Sequence, residues 1–155
     1  MNTGPYSDEK VQKYIAEEFI PVKSQCLWDK RSDLMKQFDI AWTPTLLVHD
    51  STGKEHHRIV GFVPVNDFLA HVKLGKAKMF FNRFRFADAI ENFTTVIEQH
   101  PDAGAVPEAI FFQGVAHYWK SHDPKGLRWA HDTLAARFPQ SEWARRAQPY
   151  KQIPL

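Results

Sequence analysis

Thiol chemistry in this sequence rests on one residue, Cys26. Trp28, Asp29, Lys30 and Arg31 follow it, and basic neighbours lower a thiol's pKa and raise its reactivity. A lone cysteine cannot close an intramolecular disulfide, cannot build a cysteine metal site and has no resolving thiol. Cys26 is thus a weak catalytic candidate. It is either a thiol able to form a mixed disulfide with another molecule or a cysteine without chemistry. Histidine is the next group to consider, at positions 49, 56, 57, 71, 100, 117, 122 and 131. His56 and His57 adjoin in a strand-like run, so alternation sends them to opposite faces, which is poor metal geometry. None forms the i, i+4 pair with a flanking Glu that zinc enzymes use. The expectation is no metal and no cofactor. Histidines that titrate near neutrality would make association pH-sensitive. Phe80, Phe81, Phe84 and Phe86 crowd one short stretch, with Arg83 and Arg85 between them. That is more aromatic surface than one helix face buries. Phe80 and Phe86 read as core. Phe81 and Phe84, rimmed by Arg83 and Arg85, fit either the core or an interface, where aromatic and Arg residues are enriched. No Gly-rich phosphate loop, Ser/His/Asp ordering or paired-carboxylate motif offers another catalysis.

Composition narrows the classes further. The chain has 155 residues, 43% of them hydrophobic, with a net charge of +2. Lys and Arg are scattered among acids, so no basic footprint for nucleic acid exists. No apolar run approaches the ~20 residues of a membrane span. Met1 to Pro5 carries neither a basic nor an apolar signal region, so a cytoplasmic, reducing location is expected. Twelve Phe and five Trp promise a large apolar core or an apolar face for a partner.

Elements that would position these groups can be read from periodicity. Ser7 or Asp8 caps a helix carrying Val11, Tyr14, Ile15 and Phe19 on one face. Residues 19–23 read as a short strand, with Pro21 at an edge. Residues 31–39 form a second helix, with Leu34, Met35 and Phe38 inward. Thr45 to His49 and His57 to Gly61 are strands joined by the Asp50-Ser-Thr-Gly53 turn, a hairpin. Pro64 starts a helix with Phe68, Leu69 and Val72. Beyond residue 74 the period is helical throughout. Helices are predicted over 86–99, 108–120, 125–138 and from Ser141 onward, with Pro101 and Pro139 as stops. The fold class is therefore α+β in the first half, a truncated sheet with flanking helices, then an all-α array. The boundary falls near 73–76, without a flexible linker.

Phe38-Asp-Ile-Ala-Trp-Thr-Pro-Thr-Leu-Leu-Val48, then Gly53-Lys54, then Arg58-Ile-Val-Gly-Phe62, resembles the C-terminal half of a thioredoxin domain. Tyr6 to Lys23 looks like the same family's stretch after its redox motif, so the likeness covers residues 5–73. It implies a cis Thr43-Pro44 bond. It also implies that Trp42, Thr43 and Pro44 form a peptide-binding ledge, unless the turn is purely structural. The family's Cys-x-x-Cys, which belongs before Tyr6, is not in this sequence, nor is the central strand leading into it. That strand would lie between 19–23 and 45–49, and its loss leaves open strand edges, which are templates for pairing. A self-associated, edge-paired or strand-exchanged homo-oligomer is the expectation.

The second half, 74–150, resembles tetratricopeptide repeats. Ala77, Phe80, Ala89, Phe93 and Pro101 match the small–aromatic–small–aromatic–proline register. A degraded copy runs through Ala109, Gly114, Tyr118 and Pro139, with Trp129 and Leu134 near core positions, and Ser141 to Tyr150 would cap it. About three units are needed for stability, so this half should dock on the first. Such fusions occur in bacterial proteins. The two resemblances imply a redox-inactive, non-catalytic module that binds a protein or peptide, or acts as a chaperone. The alternative is a thiol–disulfide oxidoreductase using Cys26, or a Cys-x-x-Cys supplied by a longer form or a second chain.

Overall fold

The computed structural model describes residues 4–26 and 30–154. Trp28 and Asp29, two of the neighbours expected to tune Cys26, lie outside them. A 3-10 turn over Pro5–Ser7 leads into α1 (Glu9–Glu18). α2 (Asp33–Gln37) precedes a hairpin of β1 (Thr45–His49) and β2 (Glu55–Val60). Then follow α3 (Val65–Asn82), α4 (Phe86–Gln99), α5 (Val106–Ser121), α6 (Lys125–Arg137) and α7 (Glu142–Arg146).

Capping explains several boundaries. The Asp8 carboxylate accepts from the Lys10 and Val11 amides, Ser32 from Met35, and Ser141 from Ala144. Each satisfies orphan donors of a first turn. Pro107 sits in the first turn of α5, where a missing N–H costs nothing. In the hairpin turn the Gly53 amide donates to Asp50 O at 2.9 Å.

The expected strand over 19–23 does not form. The segment is irregular and has no ladder partner among the described residues, and Ile20 and Val22 are 94% and 81% exposed. A strand exists only through its neighbour. Pro21 donates nothing, and the described sheet is β1 and β2 alone. Apolar alternation without a partner is not sufficient.

α3 joins two cores. Phe68 and Val72 face Val11, with Tyr14, Ile15, Leu46 and Val63 around them. Ala70, Leu74 and Ala77 face the other way, into a larger cluster with Phe93, Val96, Val106, Ile110 and Leu134. α3 therefore runs unbroken from the α+β half into the helical half, buried on two sides. Successive helices from α3 to α6 pack on one another. α5 and α6 approach very closely at Gly114. A Cβ there would meet the Gly126 carbonyl oxygen and the Ala130 Cβ, both at 2.6 Å.

The register of the hairpin contains one irregularity. Val48 faces His57, but His49 faces Glu55, so His56 is the extra residue of a bulge. Both adjacent histidines consequently turn inward, at 5% and 7% exposure. Strict alternation, which sends one of them to solvent, does not hold here.

Candidate functional site: the hairpin base

The base of the hairpin carries the most open chemistry in the α+β half. The Thr43-Pro44 peptide bond is cis. Pro44 O accepts from the Gly61 amide at 2.8 Å, which fixes the base of the ladder. The Thr45 hydroxyl donates to Trp42 O at 2.7 Å. Thr43 between them is exposed, and among the described residues neither its N–H nor its C=O has a partner. Trp42 and Phe62 flank this open backbone at 68% and 71% exposure. Behind it lies a shallow apolar crevice lined by Tyr6, Pro44, Leu46, Ile59, Phe62 and Phe68. Tyr6 stands edge-on to Phe68 with ring centroids 5.2 Å apart, and burial pushes its hydroxyl pKa up. The arrangement offers one backbone donor, one backbone acceptor and aromatic walls, which suits an extended chain. None of the residues lining the crevice is a cysteine, a histidine or a charged residue.

Cys26 is a free, half-buried thiol in the irregular segment after α1. Of its basic neighbours, Arg31 is already engaged, donating to Met35 O and Ile40 O. Among the described residues no group of three or more His, Cys, Asp or Glu could hold a metal ion. No described helix is long and apolar enough to cross a membrane.

The aromatic–Arg run divides. Phe81 packs edge-on against Phe86, Phe93 and Phe112 at the helical core. Arg83 pairs with Asp50 at 3.1 Å, tying the α3 end to the hairpin tip. Arg85 lies over the Phe80 ring at 4.7 Å and pairs with Asp88. Phe84 alone of the four stands out, 76% exposed in a left-handed backbone conformation at φ +58°. Trp119, half-exposed and stacked on Phe86 at 6.1 Å, extends this aromatic surface.

Sequence reasoning also missed the polar seam between β2 and α3. At the hairpin tip, Asp50 accepts from the Thr52 amide and hydroxyl, the Lys54 amide and His56 Nε2. The Thr52 hydroxyl first, and His56 next, hold its carboxyl well below the usual carboxylate range. His56 Nδ1 in turn meets the Asn82 amide at 2.9 Å. One turn lower, His57 meets His71 and Lys78. His71, Gly75, Lys78 and Asn82 follow helical spacing and make one stripe along α3. The available signal was Gly75, a glycine inside a helix, which marks close backbone approach.

Comparison with known proteins agrees with this half of the molecule. Residues 6–76, a little under half of the chain, match the family described as a thioredoxin-like domain. No curated protein and no solved structure matches the chain. Residues 6–76 are thus similar to a thioredoxin-like domain, and the helical array beyond residue 76 lies outside that match.

Proposed function

We propose that this chain is a non-catalytic protein-interaction module, a redox-inactive thioredoxin-like scaffold carrying tetratricopeptide-like repeats, which binds an extended peptide along Trp42, Thr43 and Pro44. The observation that carries the reading is the open Thr43 backbone between the exposed Trp42 and Phe62 rings. A peptide laid there gains two main-chain hydrogen bonds, and its apolar side chains find aromatic anchors. A single cysteine in the sequence is consistent with binding rather than dithiol turnover.

The test is titration of a fluorescein-labelled, cysteine-free peptide of alternating aliphatic and polar residues. Trp42→Ala should weaken binding by at least about tenfold, as expected of an interface anchor. No saturable binding, or binding indifferent to Trp42→Ala, would overturn the reading. So would catalytic reduction of insulin. The oxidoreductase alternative draws on the free, half-buried Cys26 thiol and predicts insulin turnover that Cys26→Ser abolishes.

Self-association belongs to the same proposal. The bare Ile20 and Val22 side chains on a segment without a ladder partner among the described residues support it, since unpaired backbone beside apolar side chains is a template for pairing. Light scattering should give a mass above 18.0 kDa that rises with concentration. A constant monomer mass would remove this part of the proposal and leave the ledge intact.

A further inference from the structure

The seam between the hairpin and the helical array contains a buried run of ionisable groups. Glu108 on α5 accepts from Lys78 on α3 at 2.6 Å. Lys78 Nζ stands 3.5 Å from His57 Nδ1 on β2, and His57 Nε2 is 3.1 Å from His71 Nδ1 on α3. The two imidazoles are stacked, with centroids 5.3 Å apart. His57 is 7% exposed.

Donor and acceptor roles in this run are dictated by its cationic end. An ammonium can only donate, so the His57 Nδ1 that faces Lys78 must be the acceptor. His57 Nε2 then carries the proton and donates to His71 Nδ1. One arrangement satisfies the run, and in it both histidines are neutral. A proton added to His57 would set an N–H against the Lys78 ammonium. A proton added to His71 Nδ1 would set an N–H against the His57 N–H. Either proton also places a second cation beside Lys78, whose own carboxylate partner is Glu108.

We propose that this seam is an acid-sensitive latch, in which protonation of His57 and His71 releases the β1–β2 hairpin from α3 while the helical array stays folded. The groups facing His57 are Lys78 and His71 from α3 and Glu55 from its own strand; those facing His71 are Lys78 and Asp67 from α3 and Glu108 from α5. Glu55 is paired with Arg58 at 2.7 Å, and its pull on a His57 charge is outweighed by burial, Lys78 and His71. Burial first, then Lys78 and His71, push the His57 pKa down to about 3. Burial likewise lowers that of His71, against the opposing pull of Asp67 and Glu108.

The direction follows from linkage. Above the ordinary histidine range neither the docked nor the released state binds these protons, and docking is pH-independent. As pH falls from 6.5 toward about 3, the released state takes up protons that the docked state refuses, so docking weakens throughout that window. Each histidine raises the opening constant by up to about tenfold per pH unit. The two cores allow separate release, because the array buries its own cluster around Phe93 and Ile110.

Hydrogen exchange of the full chain, corrected for intrinsic pH dependence, tests the latch. Between about pH 7.5 and pH 5, exchange over 45–60 should accelerate at least about tenfold, while 106–137 keeps its protection. The His57→Gln/His71→Gln double variant should lose that acceleration. His71→Gln alone, at the more exposed position, should lose part of it if the double variant fails to fold. Simultaneous loss of protection in the hairpin and in 106–137 would overturn the latch. So would an acceleration that survives in His71→Gln and in the double variant alike.

Discussion

Phe93→Ala is expected to lower the unfolding free energy of the helical array by about 3–5 kcal/mol, the range for emptying a buried aromatic site. Phe93 lies on α4 with no exposure and is the largest fully buried side chain among the described residues. Its ring stands 6.5 Å from Phe81 on α3 and is stacked 6.3 Å from Phe112 on α5. Three helices therefore lose a common contact at once, and none can move in without giving up its contacts with the others. Urea unfolding followed by far-ultraviolet circular dichroism reads the change as a fall in midpoint at constant slope. Phe84 supplies the contrast within the same aromatic run. It is 76% exposed at φ +58°, so Phe84→Gly removes little packing and relieves a conformation that disfavours side chains. That variant should change stability by no more than about 1 kcal/mol, with the gain offset by glycine's larger entropy in the unfolded chain. A loss for Phe93→Ala no larger than the Phe84→Gly change would mean that Phe93 is not central to the array.

These two phenylalanines also show what the sequence can specify. The run from Phe80 to Phe86 announces apolar excess, yet spacing could not say which rings are inside. Phe81 and Phe84 were equal candidates for an interface. Their environments differ because the helix ends at Asn82, and Phe84 enters a left-handed turn. The hairpin was legible for a different reason. Its β-branched runs and Asx–Gly turn are local signals, and each supports the other. The stretch 19–23 carries apolar alternation as well, but a ladder needs a second strand, and no property of residues 19–23 supplies one. The bulge at His56 was hidden because alternation presumes an unbroken register, and one extra residue reverses the inference for everything beyond it. The ledge at Trp42, Thr43 and Pro44 came from family resemblance, and spacing alone would not have found it. The seam was hidden because a Lys, a Glu and two His residues gain meaning only when β2, α3 and α5 bring them together.

Gly75 is the residue on which that meeting depends, and Gly75→Leu is expected to cost about 3 kcal/mol, the upper part of the overpacking range. A Cβ at this position would stand 2.6 Å from Val48 Cγ2, 2.8 Å from Val48 Cβ and 3.1 Å from His57 Cβ. Two of these atoms are Cβ atoms fixed to strand backbone, so a rotamer change cannot clear them. Val48 is itself 5% exposed and has nowhere to retreat. The hairpin must lift from α3 as a unit, taking His57 away from His71 and Lys78. Gly75→Ala decides the sign of a smaller step. Alanine gains about 1 kcal/mol of helix propensity over glycine, while the same close contacts oppose it at about 1–3 kcal/mol. Net destabilisation by alanine means that the contact with Val48 outweighs the gain in the helix. Hydrogen exchange locates the effect: in Gly75→Leu the 45–60 amides should lose protection at neutral pH, whereas 106–137 should not. The same variant should weaken peptide binding at the hairpin base without altering a residue of the ledge, because an undocked hairpin no longer holds Pro44 and Phe62 against Phe68. Unchanged protection over 45–60 in Gly75→Leu would show that α3 and the hairpin can separate by the width of a side chain without cost, and the close approach at Gly75 would then contribute nothing to holding the two halves together.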